Sequence, residues 1–186
     1  MQVIAGTHRG RKLKTLKGDL TRPTSGLVRG AMFSILGDRL YEARVLDLYA
    51  GSGALAIEAL SRGAKEAVLV ERSADAQAII QDNLAALKVG DRATLVRGDV
   101  FARLKTLQGP FDVVLADPPY RTVDWTQFLQ ALQLPGLLSP HATVLIEHAR
   151  GEDLPSEAGE LKQARAYQYG ETHLALYQRA ESAPEA

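Results

Sequence analysis

A short loop sequence, Asp117-Pro118-Pro119-Tyr120, follows a predicted buried strand and carries the residue types needed to recognise an amine. The two prolines fix φ and remove two backbone donors, which leaves a stiff loop rich in hydrogen-bond acceptors. The Asp117 carboxylate and the Pro118 carbonyl can then accept from one NH2 group, while the Tyr120 ring offers a flat face for stacking. This arrangement suits the exocyclic amine of a nucleobase, because two acceptors favour a pyramidal, nucleophilic nitrogen. The alternative is a purely structural proline turn.

A second candidate is the glycine-rich loop from Asp47 to Gly53, which ends one predicted strand and opens a helix. Gly51 and Gly53 permit a tight turn and a close approach of a ligand to the backbone, and the helix N-terminus presents N–H groups. Together with Ala56 they fit the dinucleotide-binding pattern G-x-G-x-x-A, which is weak evidence by itself. A structural turn with two glycines explains the same residues, so this loop alone leaves both interpretations open.

Two carboxylates end the next two predicted strands. Glu71 lies 18 residues after Gly53, where an acidic side chain can accept hydrogen bonds from both hydroxyls of a ribose. Asp99 is followed by Val100 and Phe101, so its carboxylate can accept from an adenine amine while an apolar neighbour covers the ring. Each has an ordinary alternative, as a solvated strand end or as a helix N-cap. Because ligands of open α/β sheets bind at the carboxyl ends of strands, the three positions together favour an adenosine site.

Alternating strands and helices must position these residues, and the hydrophobic pattern predicts them from Val45 onward. Strands are predicted at 45–49, 66–71, 93–96, 111–116 and 142–147, with helices at 54–62, 73–87 (Ser73 as N-cap), 101–107 and 125–134. Such alternation indicates βαβ units and a mostly parallel sheet. Residues 162–169 and 172–178 flank Gly170-Glu171 and predict an antiparallel hairpin. The expected fold class is α/β, a Rossmann-like sheet with a C-terminal antiparallel hairpin.

An extension is expected in front of this sheet. Residues 3–5 and 13–16 predict a small hairpin, and a helix is expected over 25–40. The predicted division of the chain is therefore a basic extension at 1–43, a sheet domain at 44–179 and a frayed tail at 180–186.

Charge is unevenly distributed along this chain of 186 residues, whose net charge is zero. The first 29 residues contain seven basic side chains and one acidic side chain, which leaves the remainder of the chain with a balance of −6. A basic segment on an acidic body indicates a polyanionic partner such as nucleic acid. A solvated hairpin with ordinary surface lysines is the alternative.

Composition excludes several classes of protein. The absence of cysteine excludes disulfides, thiolate zinc sites, iron–sulfur clusters and a cysteine nucleophile. The four histidines lack metal-ligand spacing, so no metal site is expected; they are His8, His141, His148 and His173. No apolar run approaches the roughly 18 residues of a membrane span, and the N-terminus lacks a secretory pattern. A cytoplasmic protein is expected.

The chain resembles class I S-adenosylmethionine-dependent methyltransferases that act on base amino groups. More narrowly, over nearly its whole length it resembles the bacterial 16S rRNA (guanine-N2)-methyltransferase family, which modifies one hairpin-loop guanine of the small subunit. The segments that carry this resemblance are Gly10-Arg11-Lys12-Leu13, Arg22-Pro23-Thr24, Val28-Arg29, Asp47–Gly53, Glu58–Ala64 and Asp117–Tyr120. Asp-Pro-Pro-Tyr alone fits adenine-N6 methyltransferases equally well, and the N-terminal segments favour the ribosomal family. Family members often carry acidic residues where this chain has Gly26 and Gly30, each of which weakens a helix by about 1 kcal/mol.

The resemblance implies a role for each candidate residue. The guanine would be held by the catalytic residues Asp117, Pro118, Pro119 and Tyr120. S-adenosylmethionine would contact Asp47, Tyr49, Ala50, Gly51 and Gly53 around its methionine part, Glu71 and Arg72 near the ribose, Asp99, Val100 and Phe101 near the adenine, and also Thr24. RNA would contact Arg9, Arg11, Lys12, Lys14, Arg22 and Arg29. The implied product is S-adenosylhomocysteine, the implied partner is 16S rRNA in the small ribosomal subunit or its assembly intermediate, and the expected state is a monomer.

Two rival classes fit parts of the pattern. An NAD or nucleotide-sugar enzyme shares the fold, but such an enzyme has no use for the Asp117–Tyr120 loop. A non-catalytic RNA-binding module with a vestigial pocket does not need that loop either.

Methyl transfer from a sulfonium chiefly requires alignment of donor and acceptor. No covalent nucleophile is necessary, which agrees with the absence of cysteine.

Overall fold

The central strands are nearly continuous apolar runs because helices cover both faces of the sheet. The computed structural model describes residues 1–16 and 26–179 and arranges eight strands in one sheet. The strands are β1 (Arg44–Leu48), β2 (Glu66–Glu71), β3 (Ala93–Arg97), β4 (Phe111–Ala116), β5 (Leu138–Ala149), β6 (Glu157–Ala158), β7 (Leu161–Tyr169) and β8 (Thr172–Arg179). The helices are α1 (Gly26–Leu36), α2 (Ala54–Ser61), α3 (Ala74–Leu87), α4 (Val100–Leu104) and α5 (Trp125–Ala131), with 3-10 turns at Gly37–Leu40 and Gly90–Arg92.

The strand order is β3-β2-β1-β4-β5-β8-β7-β6. The first five strands in this order are parallel, and β8 is inserted antiparallel between β5 and β7. This confirms the predicted α/β class with a mostly parallel sheet and a C-terminal antiparallel hairpin. The two-residue strand β6, which pairs with the start of β7, was not predicted, because two residues are too few to show any periodicity.

Two apolar layers enclose the sheet. One face packs against α1, α2 and α3, with Val45, Leu69 and Leu115 among the sheet residues of that layer. The other face packs against α4 and α5, with Leu46 and Val114 among the sheet residues there. Successive strand residues therefore contact opposite layers, as the pleat of a strand requires.

Most predicted elements are found within a few residues of their predicted ends, and the differences have local causes. The helix after β3 begins at Val100, because the Asp99 side chain accepts a hydrogen bond from the Ala102 amide and caps it. The helix expected over 25–40 ends at Leu36 and continues as a 3-10 turn, beginning at Gly37 with a φ of +51°. The start of this predicted helix at residue 25 and the predicted tail at 180–186 lie outside the described residues.

The N-terminal segment, residues 1–16, lies on α2 and α3. Its two arms form an antiparallel bridge between Gln2 and Lys12, with backbone hydrogen bonds from Val3 N to the Arg11 carbonyl and from Leu13 N to the Met1 carbonyl. The backbone amide of Lys14 donates to Oδ1 of Asn83 over 2.8 Å, and Asn83 Nδ2 donates back to the Lys14 carbonyl over 3.0 Å. The side chain of Asn83 therefore pairs with the backbone of Lys14, directly after the residue that binds Met1.

Glu58, on α2, anchors the other end of this segment. Its carboxylate is 1% exposed and accepts from the amides of Ile4 and Ala5 over 2.8 and 3.0 Å. The guanidinium of Arg62 donates to the same carboxylate over 2.8 Å. Gly6 then passes so close to α2 that a Cβ atom there would lie 1.8 Å from the Ser61 carbonyl oxygen, so only glycine fits.

Within residues 1–16 and 26–179, no helix is both long and apolar enough to cross a lipid bilayer.

Candidate functional site

The predicted site residues follow the carboxyl ends of four neighbouring parallel strands. Leu48 of β1 pairs with Val70 of β2 on one side and with Ala116 of β4 on the other. The glycine loop, Glu71 and the Asp117–Tyr120 loop therefore emerge side by side from one edge of the sheet. Asp99 follows β3, the next strand outward. Ligands of open α/β sheets bind at this edge.

The glycine loop uses backbone conformations that favour glycine. Gly51 has a φ of +56° and Gly53 a φ of +78°, and a Cβ atom on Gly53 would lie 3.1 Å from Leu69 Cδ2. Tyr49 also has a positive φ, +62°, which is uncommon for a residue with a side chain. Hydrogen bonds from Ala50 N to the Val70 carbonyl and from Gly53 N to the Ala50 carbonyl close the turn.

Glu71 holds the glycine loop in place from the neighbouring strand. Its Oε2 accepts from the Gly51 amide over 2.8 Å, and its Oε1 accepts from the Ser73 amide over 2.7 Å. The sequence predicted that this carboxylate would accept from a ribose. The structure adds that it fixes the turn of the loop, and a carboxylate oxygen with one donor still has a lone pair for another.

Asp47 is the most deeply buried carboxyl of the site, with no exposed surface. Its Oδ2 accepts from the Ala56 amide over 3.0 Å, whereas Oδ1 has no hydrogen-bond partner within the described part of the chain. Burial, together with the nearby carboxylates of Asp117 and Glu71, raises the pKa of Asp47 to about 8. An unpartnered buried oxygen of this kind fits a donor group of a ligand, a cationic amine above all.

Aromatic rings form a wall beside the glycine loop. Phe128 of α5 lies 6.4 Å from the rings of both Tyr49 and Phe101, and 5.6 Å from the ring of Trp125. Burial and the Asp99 carboxylate raise the pKa of Tyr49 to about 12. Tyr49 was expected near the methionine part of a cofactor, and this assignment stays a prediction.

The other predicted cofactor residues differ in exposure. Val100 is buried and belongs to the core beneath this wall, whereas Phe101 is half-buried. Asp99 and Arg72 are exposed. The Asp99 carboxylate makes the N-cap bond that was its ordinary alternative, and its exposure leaves one oxygen accessible to a ligand.

The Asp117–Tyr120 loop is fixed at its far end by the side chain of Tyr120. The Tyr120 hydroxyl donates to Oε1 of Glu147 over 3.2 Å and lies 3.1 Å from Oγ1 of Thr172. Pro118 is buried, and Asp117 is half-buried beside it. The carbonyl of Pro119 accepts from the Thr122 hydroxyl over 2.6 Å, so the loop folds back on itself immediately after the prolines.

Glu152 anchors the chain that follows this loop, and nothing in the sequence pattern indicated it. Its Oε1 accepts from the Arg121 amide over 3.0 Å and from the Trp125 indole over 3.3 Å, and its Oε2 accepts from the Ala149 amide over 2.7 Å. The carboxylate therefore ties the loop, α5 and the end of β5 together. Phe128 was also missed, although its spacing from Trp125 on one helix face was an available indication.

The predicted RNA-binding residues divide into exposed and buried groups. Arg9, Arg11, Lys12 and Lys14 are exposed on the N-terminal segment. Arg11 also donates to the Ala86 carbonyl over 3.1 Å, and Lys14 Nζ lies 2.8 Å from Oδ2 of Asp82.

Arg29 corrects the prediction, because it is 3% exposed and donates to the Gln2 carbonyl beneath the N-terminal segment. Burial lowers its pKa, although the nearby Glu58 opposes this effect. A side chain in this position cannot contact a phosphate at the surface. Arg22 and Thr24 lie outside the described residues.

An open groove of about 670 Å³ lies at the opposite edge of the sheet, near the starts of β1, β4 and β5. Its lining includes Asp38, Glu42, Asp112 and His141. It lacks the features of the carboxyl edge, which are a glycine turn, an unpartnered buried carboxyl oxygen and an aromatic wall. Neither in this groove nor in the rest of residues 1–16 and 26–179 do three acidic or histidine side chains form a candidate metal site.

The similarity of this chain to known proteins extends over almost its entire length. A family model described as Conserved hypothetical protein 95 matches residues 1–178. Ribosomal RNA small subunit methyltransferase D of Escherichia coli K12 is 34% identical over 179 residues, which covers 96% of this chain and 90% of that protein.

Solved structures show the same similarity. The Escherichia coli protein yhhF has a TM-score of 0.87 at 34% identity and covers 98% of this chain and 99% of its own. The S-adenosylhomocysteine-bound methyltransferase PaMTH1 of Podospora anserina has a TM-score of 0.61 at 28% identity, covering 70% of this chain and 56% of its own.

Proposed function

The chain belongs to the Conserved hypothetical protein 95 family, which includes ribosomal RNA small subunit methyltransferase D, and we propose that it transfers a methyl group from S-adenosylmethionine to ribosomal RNA. More finely, we propose that the acceptor is the exocyclic N2 amine of a guanine in 16S rRNA. The observation that carries the proposal is the juxtaposition, on neighbouring strands β1 and β4, of a carboxylate-held glycine loop and an acceptor-rich proline loop. A ribosomal substrate would place the activity in the cytoplasm, and the proposed active form is a monomer.

The site fits S-adenosylmethionine, which when bound supplies a methyl group activated by a sulfonium. Asp47 Oδ1, buried and without a hydrogen-bond partner among the described residues, would accept from the cationic amine of the methionine part. The turn at Gly51 and Gly53 would let the cofactor lie against the backbone, because a Cβ on Gly51 would meet no atom of the described residues within 4 Å. Glu71 would accept from the ribose at the rim of that turn.

The adenine end would lie against the aromatic wall. Phe101 and Tyr49 would contact the adenine, and the Phe128 ring packs against both of them, edge-on in the case of Phe101. Asp99 would accept from the adenine amine with the oxygen that its exposure leaves accessible. Arg72 lies close enough to affect the Tyr49 hydroxyl, and its positive charge would oppose the charge of the two carboxylates at the cofactor site.

The acceptor base would bind at the Asp117–Tyr120 loop. The Asp117 carboxylate and the Pro118 carbonyl would both accept from the base amine and direct its lone pair towards the methyl group. A stacked base gains about 1–3 kcal/mol from an aromatic face such as that of Tyr120. The amine proton becomes acidic only as methylation proceeds, so the reaction requires alignment more than a strong base.

Nucleoside mapping tests this function directly. Small ribosomal subunits from cells lacking the protein should accept radiolabel from S-adenosylmethionine when the purified protein is added, and digestion should yield N2-methylguanosine. Label in N6-methyladenosine would refute the guanine assignment while retaining the enzyme class. No label in subunits or in naked 16S rRNA, from protein that binds S-adenosylhomocysteine, would refute ribosomal RNA as the substrate.

Cofactor binding is expected to release a proton through Asp47. A pKa of about 8 leaves this carboxyl mostly protonated at pH 7, and a cationic amine beside Oδ1 favours the ionised form. Calorimetric titration with S-adenosylhomocysteine at pH 7, in two buffers of different ionisation enthalpy, should show close to one proton released per molecule. Above pH 9 the release from Asp47 should fade, because the carboxyl is then already ionised.

The same carboxyl should give folding stability a pH dependence of known sign. Its folded pKa exceeds its ordinary value of about 3.9, so its contribution is fully present below pH 4 and falls as the pH rises through 8. Asp47→Asn should remove this dependence and the proton release together. Binding that releases no proton at pH 7 would contradict the proposed position of the cofactor amine.

The N-terminal segment is expected to bind RNA phosphates. Each lost phosphate contact on single-stranded RNA lowers the slope of log affinity against log salt by about 0.7. The triple variant Arg9→Ala, Arg11→Ala, Lys12→Ala should therefore bind 16S rRNA more weakly, with a salt slope lower by about two. Filter binding across a salt series measures this change.

A matched triple variant controls for net charge. Lys105 is exposed in the turn after α4, and Lys162 and Arg165 are exposed on β7, away from the N-terminal segment. Their replacement by alanine removes the same charge and should leave most of the slope intact. Equal losses in the two triple variants would indicate a non-specific effect of net charge and refute the assigned surface.

A further inference from the structure

Asn83 is a polar side chain on the buried face of α3. It is 2% exposed, among the apolar residues Ile80, Leu84 and Leu87. Its Oδ1 accepts from the Lys14 amide over 2.8 Å, and its Nδ2 donates to the carbonyls of Lys14 and Ser52, each over 3.0 Å. One amide group therefore joins the N-terminal segment to the glycine loop, two parts of the chain that are distant in sequence.

The two parts joined by Asn83 have different proposed ligands. Ser52 lies between Gly51 and Gly53, in the turn proposed to receive the cofactor. Lys14 continues the basic run proposed to receive RNA, and it is the point at which that segment reaches the loop. The rest of the segment binds the same two helices at other positions. The Ala5 amide donates to Glu58 of α2, and the Arg11 side chain donates to the Ala86 carbonyl of α3.

We propose that Asn83 is a positioning residue that couples RNA binding to cofactor binding. RNA held by the N-terminal segment fixes the Lys14 backbone, which fixes the Asn83 amide and hence the Ser52 carbonyl. The glycine loop is then ordered before the cofactor arrives, so each ligand raises the affinity for the other. This inference rests on the proposed function and concerns the relation between its two ligands.

Measured cooperativity separates this role from a merely structural one. Replacing a buried asparagine that only stabilises the fold would weaken the binding of both ligands. It would leave unchanged the coupling ratio, which is the affinity for one ligand in the presence of the other divided by its affinity alone. If the coupling passes through Asn83, replacing Asn83 changes this coupling ratio. RNA must raise the affinity for the cofactor by the same factor as the cofactor raises the affinity for RNA, because thermodynamic linkage is reciprocal.

The test is equilibrium dialysis of radiolabelled S-adenosylhomocysteine with the full chain, with and without small ribosomal subunits from cells lacking the protein. In the wild-type chain, subunits should tighten S-adenosylhomocysteine binding about tenfold, within the usual range of coupling between sites. In Asn83→Ala the ratio should fall close to one. Asp82→Ala is the matched control, because it removes the exposed ion pair with Lys14 and leaves the Asn83 bonds in place; its ratio should stay near tenfold.

Either a ratio of one in the wild type or an unchanged ratio in Asn83→Ala would overturn the proposal. If Asn83→Ala fails to fold, hydrogen exchange on the wild-type protein decides instead. S-adenosylhomocysteine alone should slow exchange of the Lys14 amide, and unchanged Lys14 exchange would overturn the coupling. Failure of the proposed function has a different signature, which is the absence of S-adenosylhomocysteine binding or of methylated nucleoside in the wild type.

Discussion

Asp117→Ala should slow single-turnover methylation at least a hundredfold while leaving the affinity for S-adenosylhomocysteine within about threefold. The expected loss follows from alignment, because a misplacement of about 1 Å between reacting groups can cost a hundredfold in rate. Asp117 follows β4 beside the glycine loop, and its proposed partner is the base amine rather than the cofactor. Rapid-quench methylation under single-turnover conditions measures the rate, and calorimetry measures the affinity.

Asp153→Asn provides a matched control, because Asp153 is an exposed acid beside Glu152 on the same side of the molecule. It should methylate at close to the wild-type rate. Near-normal single-turnover methylation by Asp117→Ala would refute the proposed binding of the amine. A loss of cofactor affinity as large as the loss of rate would instead move Asp117 into the cofactor site.

Glu58→Ala should lower the free energy of unfolding by about 3–5 kcal/mol, the usual effect of removing one partner from a buried ion pair. The Ile4 and Ala5 amides would lose their acceptor, and Arg62 would lose its anion. Arg29, buried nearby with Nε and Nη1 unpartnered within the described chain, would lose the negative charge that opposes its desolvation. Urea unfolding followed by circular dichroism measures the change.

The substitution Glu66→Gln is the control, because it removes an exposed ion pair instead of a buried one. Glu66 binds Arg44, and its side chain is 43% exposed, so its loss should cost no more than about 1 kcal/mol. Equal effects of the two substitutions would contradict the assignment of Glu58 as the anchor of the N-terminal segment.

Helix and strand positions could be predicted because they depend on local patterns. The strand 66–71 and the strand 111–116 were predicted with their observed ends, and Ser73 caps α3 as expected. The buried face of α3 was harder to predict. Its inward-facing residues include Ala76, Ile80 and Leu84, and no periodicity reveals the hydrogen bonds that hold the polar Asn83 among them.

The candidate site was predictable where the chemistry is carried by strand ends, because topology alone brings those ends together. Asp47, Glu71 and the Asp117–Tyr120 loop are examples. The supports of the site were not predictable, since Glu152 and Thr172 reach it from turns and strands distant in sequence. Arg29 was predicted wrongly. Its place in a basic segment indicated a surface residue that binds RNA, yet its side chain lies in the interior.

The position of β8 inside the sheet has a consequence for the order of assembly during synthesis. The strand that separates β5 from β7 follows the other seven described strands in chain order, so the sheet stays divided until residues 172–179 are available. Contacts of such long sequence separation form slowly. Because Thr172 lies beside the Tyr120 hydroxyl, the proposed base-binding loop gains one of its supports from that strand, in addition to Glu147 and Glu152. A nascent chain that has already folded its glycine loop would therefore still lack this support of the proposed acceptor site.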